Sequence, residues 1–151
     1  MTETHTRLSG DLLIARKAQD KPLLLLLSTI IAEVKERVRV IENEEKRDVV
    51  DADVVDVLRK GIKKRRDSVE QYTAANRPEL AQKEADEIGV LERYLPAAVD
   101  PAVIRSAVIA VIATGVTQMG QVMGQVLPRF KGQVEGSVVN AIVREELAKL
   151  V

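Results

Sequence analysis

Two short stretches carry the residue types that could do chemistry. The first is Arg59-Lys-Gly-Ile-Lys-Lys-Arg-Arg66, six cations in eight residues. Wound into a helix, Arg59, Lys63 and Arg66 share one face, and Lys60 and Lys64 share an adjacent one. Such a face neutralises phosphates, with an affinity that falls as salt rises. The same run also fits a solvated helix face balanced by local acids such as Asp56, Asp67 and Glu70. The second stretch is Arg129-Phe-Lys-Gly-Gln-Val-Glu-Gly136. Gly132 and Gly136 let backbone N–H groups approach an anion, and Arg129 and Lys131 add charge. The stretch matches neither a Walker A loop nor a dinucleotide fingerprint. A plain helix–helix connection has a similar composition.

Arg65 sits differently from its neighbours. It falls on the apolar seam formed by Val54, Leu58, Ile62, Val69 and Tyr72. A guanidinium on that face needs a partner, because an unpaired buried charge is prohibitively costly. Glu84, on the inward side of the following helix, is the expected one. Arg65 and Glu84 then form a structural ion pair that fixes helix register.

Other chemistries lack their residues. There is no cysteine, which excludes disulfides and thiolate sites and fits a cytoplasmic protein. His5 is the single histidine, in a polar N-terminal stretch expected to be a disordered tail. Carboxylates such as those in Glu84-Ala-Asp-Glu87 follow the spacing of a solvated helix. No Ser/Lys or Ser/His arrangement, HExxH or EF-hand spacing occurs. No catalytic residue, metal ligand or cofactor is therefore expected.

The elements that must hold these stretches are helices. Only Tyr72, Tyr94 and Phe130 are aromatic, and Pro and Gly fall between periodic segments. The first helix is expected over 8–18, with Leu8, Leu12 and Ala15 inward. Pro22 suits the first turn of the second, which runs to about Ile41. A charged linker, Glu42 to Asp48, follows. The third helix is expected from Asp53 to Ala75 and the fourth from Glu79 to Leu95, where Pro96 ends it. Short connections between such helices favour antiparallel neighbours in a bundle. Asp100 and Pro101 mark the start of a fifth helix, and Gly115 its left-handed stop. Thr117 is placed to cap the sixth, 118–127, and Ser137 the seventh, 138–150.

Charge divides the chain. Residues 1–96 hold 18 of the 23 Lys/Arg and 19 of the 23 Asp/Glu, leaving five and four to residues 97–151. An all-α protein is expected, with an N-terminal bundle over 1–96 and a three-helix tail module over 97–151. The fifth helix, Val103 to Ala113, is apolar nearly all round. In so small a module it is hard to wrap completely, so the Val103–Ile112 face is a candidate surface for a protein partner or for self-association. Leu23 to Ala32 is about half the roughly 20 residues a membrane span needs, and no membrane association is expected.

Several motifs together resemble one family. They are Lys63-Lys-Arg-Arg-Asp-Ser68, Lys83-Glu-Ala-Asp-Glu-Ile88, Leu91-Glu-Arg-Tyr-Leu-Pro96, Met119-Gly-Gln-Val-Met-Gly124, and Lys131-Gly132 with Gly136. In this order and at these separations they identify the chain as similar to the GatB/YqeY family, specifically its small stand-alone YqeY-like members. The resemblance covers about Leu8 to Leu150. It implies an all-helical protein whose tail resembles the tRNA-holding tail of the glutamine-dependent tRNA amidotransferase. It also brings a family-level label of carbon–nitrogen ligase activity with glutamine as amido-N-donor. The catalytic region and the amidase machinery behind that label have no counterpart here. What the resemblance implies is binding of tRNA or another structured RNA, with Arg59, Lys63, Arg66, Arg129, Lys131, Gly132 and Gly136 as contacts. Docking of an amidotransferase or synthetase is the alternative. The tail loop departs from the family pattern Lys-Gly-Arg-x-Asp-Gly-Lys at Gln133 and Ser137, which removes two cations.

Overall fold

The computed structural model describes residues 1–131 and 133–150. All regular structure among them is helical. The chain forms two compact units, Met1–Leu95 and Pro96–Val151.

The first unit contains α1 (Glu3–Lys17), α2 (Lys21–Val40), α3 (Asp51–Ala74) and α4 (Pro78–Glu92). Its core is built from apolar residues at helical spacing: Leu8 of α1, Leu27, Ile30 and Val34 of α2, Val54, Leu58 and Ile62 of α3, and Leu91 of α4. Chain reversals use the left-handed backbone that ends helices. Gln19 at φ 56° and Asn76 at φ 57° are the turning residues. At each, the next residue donates back across the helix end: Asp20 N–H to the Ala15 carbonyl at 3.0 Å and Arg77 N–H to the Tyr72 carbonyl at 2.8 Å. α2 closes in a single π-turn over Ile41–Glu45, which ends at Lys46 in a left-handed conformation. The charged linker is therefore partly a widened helical turn. Arg37 reaches Glu45 across it.

α3 is longer than the core it serves. All its buried residues lie between Asp53 and Ile62, and none from Lys63 onward is buried. Val69 and Tyr72, expected inward, are half-buried.

His5 departs from expectation. It lies in the first turn of α1 and is only 7% exposed. Its Nε2 has no hydrogen-bond partner among the described residues. α1 starts at Glu3 because a residue 47 positions away completes its first turn. The Asp51 carboxylate accepts the Thr4 N–H at 2.8 Å and the Thr4 hydroxyl at 2.7 Å. These are the bonds an N-cap side chain normally supplies locally, and Thr2 makes none. Tyr94 adds a second tie by donating its hydroxyl to Asp11, while the Arg7 guanidinium lies 5.1 Å from the Tyr94 ring centroid.

The second unit contains α5 (Pro101–Ala113), α6 (Met119–Val126), a 3₁₀ turn over Leu127–Phe130, and α7 (Gly136–Ala148). Ile104, Val108, Val122, Val126, Phe130, Val139 and Val143 form its core. Asp100 caps α5 by accepting the Ala102 N–H at 2.9 Å, and Gly115 turns the chain at φ 98°. The caps expected from Thr117 and Ser137 are not used. α6 begins after Gln118 and α7 after Glu135, both extended residues without a side-chain cap. Ser137 already lies inside the first turn of α7. Arg105 of α5 reaches Glu146 at 2.5 Å and Glu145 at 2.6 Å on α7, and Lys149 joins Glu146 at 2.8 Å.

Asp51→Ala removes both Thr4 bonds and lowers the unfolding free energy by about 1–2 kcal/mol in urea titrations at neutral pH. Burial raises the Asp51 carboxyl pKa, but the Thr4 bonds outweigh it and leave the group below its ordinary value. Arg47 holds Asp53 low in the same way, and burial holds His5 below 6.5, helped by the N-terminal amine and Lys35. Each group thus stabilises the fold above its unfolded pKa and loses that contribution as pH falls. Stability should decline below about pH 6.5 through His5 and again below about pH 4 through the two aspartates. Denaturation midpoints of His5→Gln should lack the upper part of that decline and keep the lower.

Candidate nucleic-acid interface

The basic run forms a little over two turns of α3, where its cations have different fates. Lys60 pairs with Asp56 one turn earlier at 3.2 Å. Arg66 reaches Glu92 of α4 at 3.4 Å. Arg59 is half-buried and engaged. Lys63 and Lys64 are exposed and make no ion pair with any described residue. Of the expected contacts Arg59, Lys63 and Arg66, only Lys63 presents an uncommitted charge. Lys64 joins it, although sequence spacing placed it on a different face.

Arg65 is inward-facing as expected, with its side chain 14% exposed, but its partner is Glu87 rather than Glu84. Its Nε donates to Glu87 Oε2 at 2.8 Å and its Nη1 to the Gly61 carbonyl at 3.0 Å. Glu87 lies three residues beyond Glu84 on α4, so the register is set nearly one turn further along. The missing side chain at Gly61 makes the arrangement possible. A Cβ there would stand 3.2 Å from Ile30 Cδ1 and 3.3 Å from Arg65 Nη1, tighter than ordinary packing.

In the second unit, the 3₁₀ turn after α6 alternates its side chains. Arg129 is exposed, Phe130 is buried in the core at 8% exposure, and Lys131 is exposed. The Phe130 carbonyl accepts the Gln133 N–H at 2.9 Å and the Val134 N–H at 3.3 Å, which closes the turn. The buried ring thus anchors a turn that points both cations into solvent. Neither makes an ion pair with a described residue. From Pro101 to Val134 the chain contains no carboxylate, and its charged residues there are Arg105, Arg129 and Lys131. Arg105 is taken up by Glu145 and Glu146.

Gly136 is the first residue of α7 rather than a loop residue. A Cβ on it would meet only Leu127 Cδ1 at an ordinary 3.9 Å, so sterics do not require glycine there. Gly132 lies outside the described residues. Arg144, not picked out from the sequence, is exposed on α7 and makes no ion pair with a described residue. Its spacing gave no signal, since it sits next to Glu145 and Glu146, which bind Arg105 instead.

Among the described residues, no group of three or more His, Asp or Glu is placed to hold a metal ion. No described helix is long and apolar enough to cross a membrane.

Comparison with known proteins gives a family match along nearly the whole chain. The family model described as Yqey-like protein matches residues 5–147. An uncharacterized protein of Schizosaccharomyces pombe is 35% identical over 86 residues, which is 56% of this chain and 66% of that protein. The match thus spans just under two thirds of that relative's length.

The Arg65 geometry separates two carboxylates with the same sequence credentials. Glu87→Leu strands a largely buried guanidinium and should lower the unfolding free energy by about 1–3 kcal/mol. Glu84→Leu should stay within about 0.5 kcal/mol of the parent. Chemical denaturation of the two variants side by side checks the assignment.

Proposed function

We propose that this chain, which belongs to the Yqey-like protein family, binds structured RNA, with tRNA the leading candidate. It does so without catalysing a reaction, in the cytoplasm. The observation that carries this reading is the pair Arg129 and Lys131. Both are exposed, without an ion pair to any described residue, and held outward by the buried Phe130 in a segment without carboxylates. Cations that have no protein partner are free to replace counterions on a phosphate backbone. Arg144 in the same unit and Lys63 with Lys64 on α3 are additional exposed cations without an ion pair to a described residue. Gly136 contributes an N-terminal amide of α7, although the Glu135 carboxylate beside it opposes an anion there.

Contacts of this kind position a ligand but read no bases, so recognition rests on backbone shape. The ligase label attached to the family would require active-site groups that this reading does not supply. A second reading, docking of a protein partner or of another copy through α5, is favoured by one observation. Val103 and Ile109 on its outer face are 54% and 48% exposed, although Ile104, Val108 and Val111 are buried beneath them.

Filter binding with total tRNA should give an affinity that falls steeply between about 50 and 200 mM salt. Arg129→Glu combined with Lys131→Glu should weaken binding by about tenfold or more at the lower salt and flatten the salt slope. Arg66→Glu, whose parent charge is already paired, should change binding less than Lys63→Glu. Absence of binding at low salt would remove the RNA reading. Concentration-dependent sedimentation abolished by Val103→Glu would favour the second.

A further inference from the structure

We infer that the outer half of the α3–α4 hairpin is an arm that pivots as one piece about Gly61 and Gly89. The inference stands apart from RNA binding. Residues 63–90 run out along α3, around the turn and back along α4, and among them Ala81 alone is buried. Lys63 to Ala74 carry α3 about 18 Å past its last buried residue, Ile62. The ion pairs of the arm stay within the hairpin: Arg65 with Glu87, Arg66 with Glu92, and Arg77 with Glu79. The core therefore grips the base of the hairpin and leaves the rest to the two helices.

Both helices carry a glycine where the arm leaves the core. The Arg65–Glu87 pair sets the register in which Gly61 faces Leu91, whose Cδ1 lies 3.8 Å from where a Gly61 Cβ would stand. In that antiparallel register Gly89 lies opposite Lys63, within about 3 Å of the Gly61 level along the hairpin. Gly61 is accounted for by the close approach of Ile30 and Arg65. Gly89 is not. It is exposed, its φ is not positive, and an added Cβ would meet no atom within 4 Å. A glycine inside a helix weakens it through the backbone freedom it brings. One in each helix at nearly one level makes the place where the hairpin bends with least resistance. Arg65 also holds the Gly61 carbonyl at 3.0 Å, which leaves Gly89 the softer side of the pivot. Just beyond that level the Arg65–Glu87 pair clamps α3 to α4, so the helices swing together rather than splay.

The arm has room on one side. A groove of about 760 Å³ lies between α4 and the start of α2. Each wall carries both signs of charge, Asp20 and Lys21 on α2 against Lys83 and Asp86 on α4, so no like-charged wall opposes the swing.

The chain has no cysteine, so paired spin labels go only where cysteines are introduced. Pulsed dipolar spectroscopy on the full chain compares two pairs at exposed positions. Ser28→Cys with Gln71→Cys spans the core and the arm, and Ser28→Cys with Asp56→Cys stays within the core. The first distance distribution should be about twofold wider than the second, and Gly89→Ala should narrow it toward that reference. In hydrogen exchange, Gly89→Ala should slow the amides of 90–93 by about fivefold, the propensity difference between the two residues, while 68–72 stay protected in both chains. Equal widths, or a Ser28–Gln71 width indifferent to Gly89→Ala, would overturn the pivot. So would unprotected amides over 68–72, which would make the arm a frayed end rather than a moving body.

Discussion

The first unit depends on the N-terminus of α3. Two carboxylates occupy its first turn, where the helix dipole favours negative charge. Asp51 closes the first turn of α1 through Thr4. Asp53, 8% exposed, accepts from the Val50 N–H at 2.9 Å and from both terminal nitrogens of Arg47, at 2.9 and 2.7 Å. One helix end therefore fixes the start of α1 and the exit of the loop from α2. The core residues Val54, Leu58 and Ile62 follow directly behind it. The apolar contacts supply the larger share of the driving force. The two carboxylates supply the register in which those contacts can form.

Pairing sorts the cations more sharply than their number does. In the basic run, Lys60, Arg65 and Arg66 are held by Asp56, Glu87 and Glu92. Most exposed pairs of this kind contribute little to stability, but they neutralise the charge that a ligand would meet. In the sparsely charged second unit Arg129, Lys131 and Arg144 make no ion pair with a described residue, while two of its four acids, Glu145 and Glu146, converge on Arg105. A run of six cations thus presents no more exposed side chains without an ion pair to a described residue, Lys63 and Lys64, than the turn does with Arg129 and Lys131.

The fold class was legible in the sequence because periodicity, prolines and capping aspartates agree. Asp100 before Pro101 and Gly115 after α5 behave as their types dictate. What escaped reading was tertiary. His5 looked like a tail residue because the group that completes its helix turn, Asp51, lies in another helix. Glu84 and Glu87 are both compatible with the inward side of α4, and only the docked register decides between them. The π-turn at Ile41–Glu45 has no distinguishing residue, since its charged sequence also suits a helix or a loop. Of the interface, the residue types were readable and the free charges were not. Lys64 and Arg144 became candidates, and Arg66 lost weight, once partners could be assigned.

The Thr4–Asp51 bonds have a consequence for biosynthesis. A chain emerging from the ribosome exposes α1 well before the residue that seals its first turn has been made. Until Asp51 clears the exit tunnel, water rather than a carboxylate meets the Thr4 N–H and hydroxyl. Completion of α1 therefore waits on elongation past the α2–α3 loop, so this helix is secured only after the start of a later one has been made.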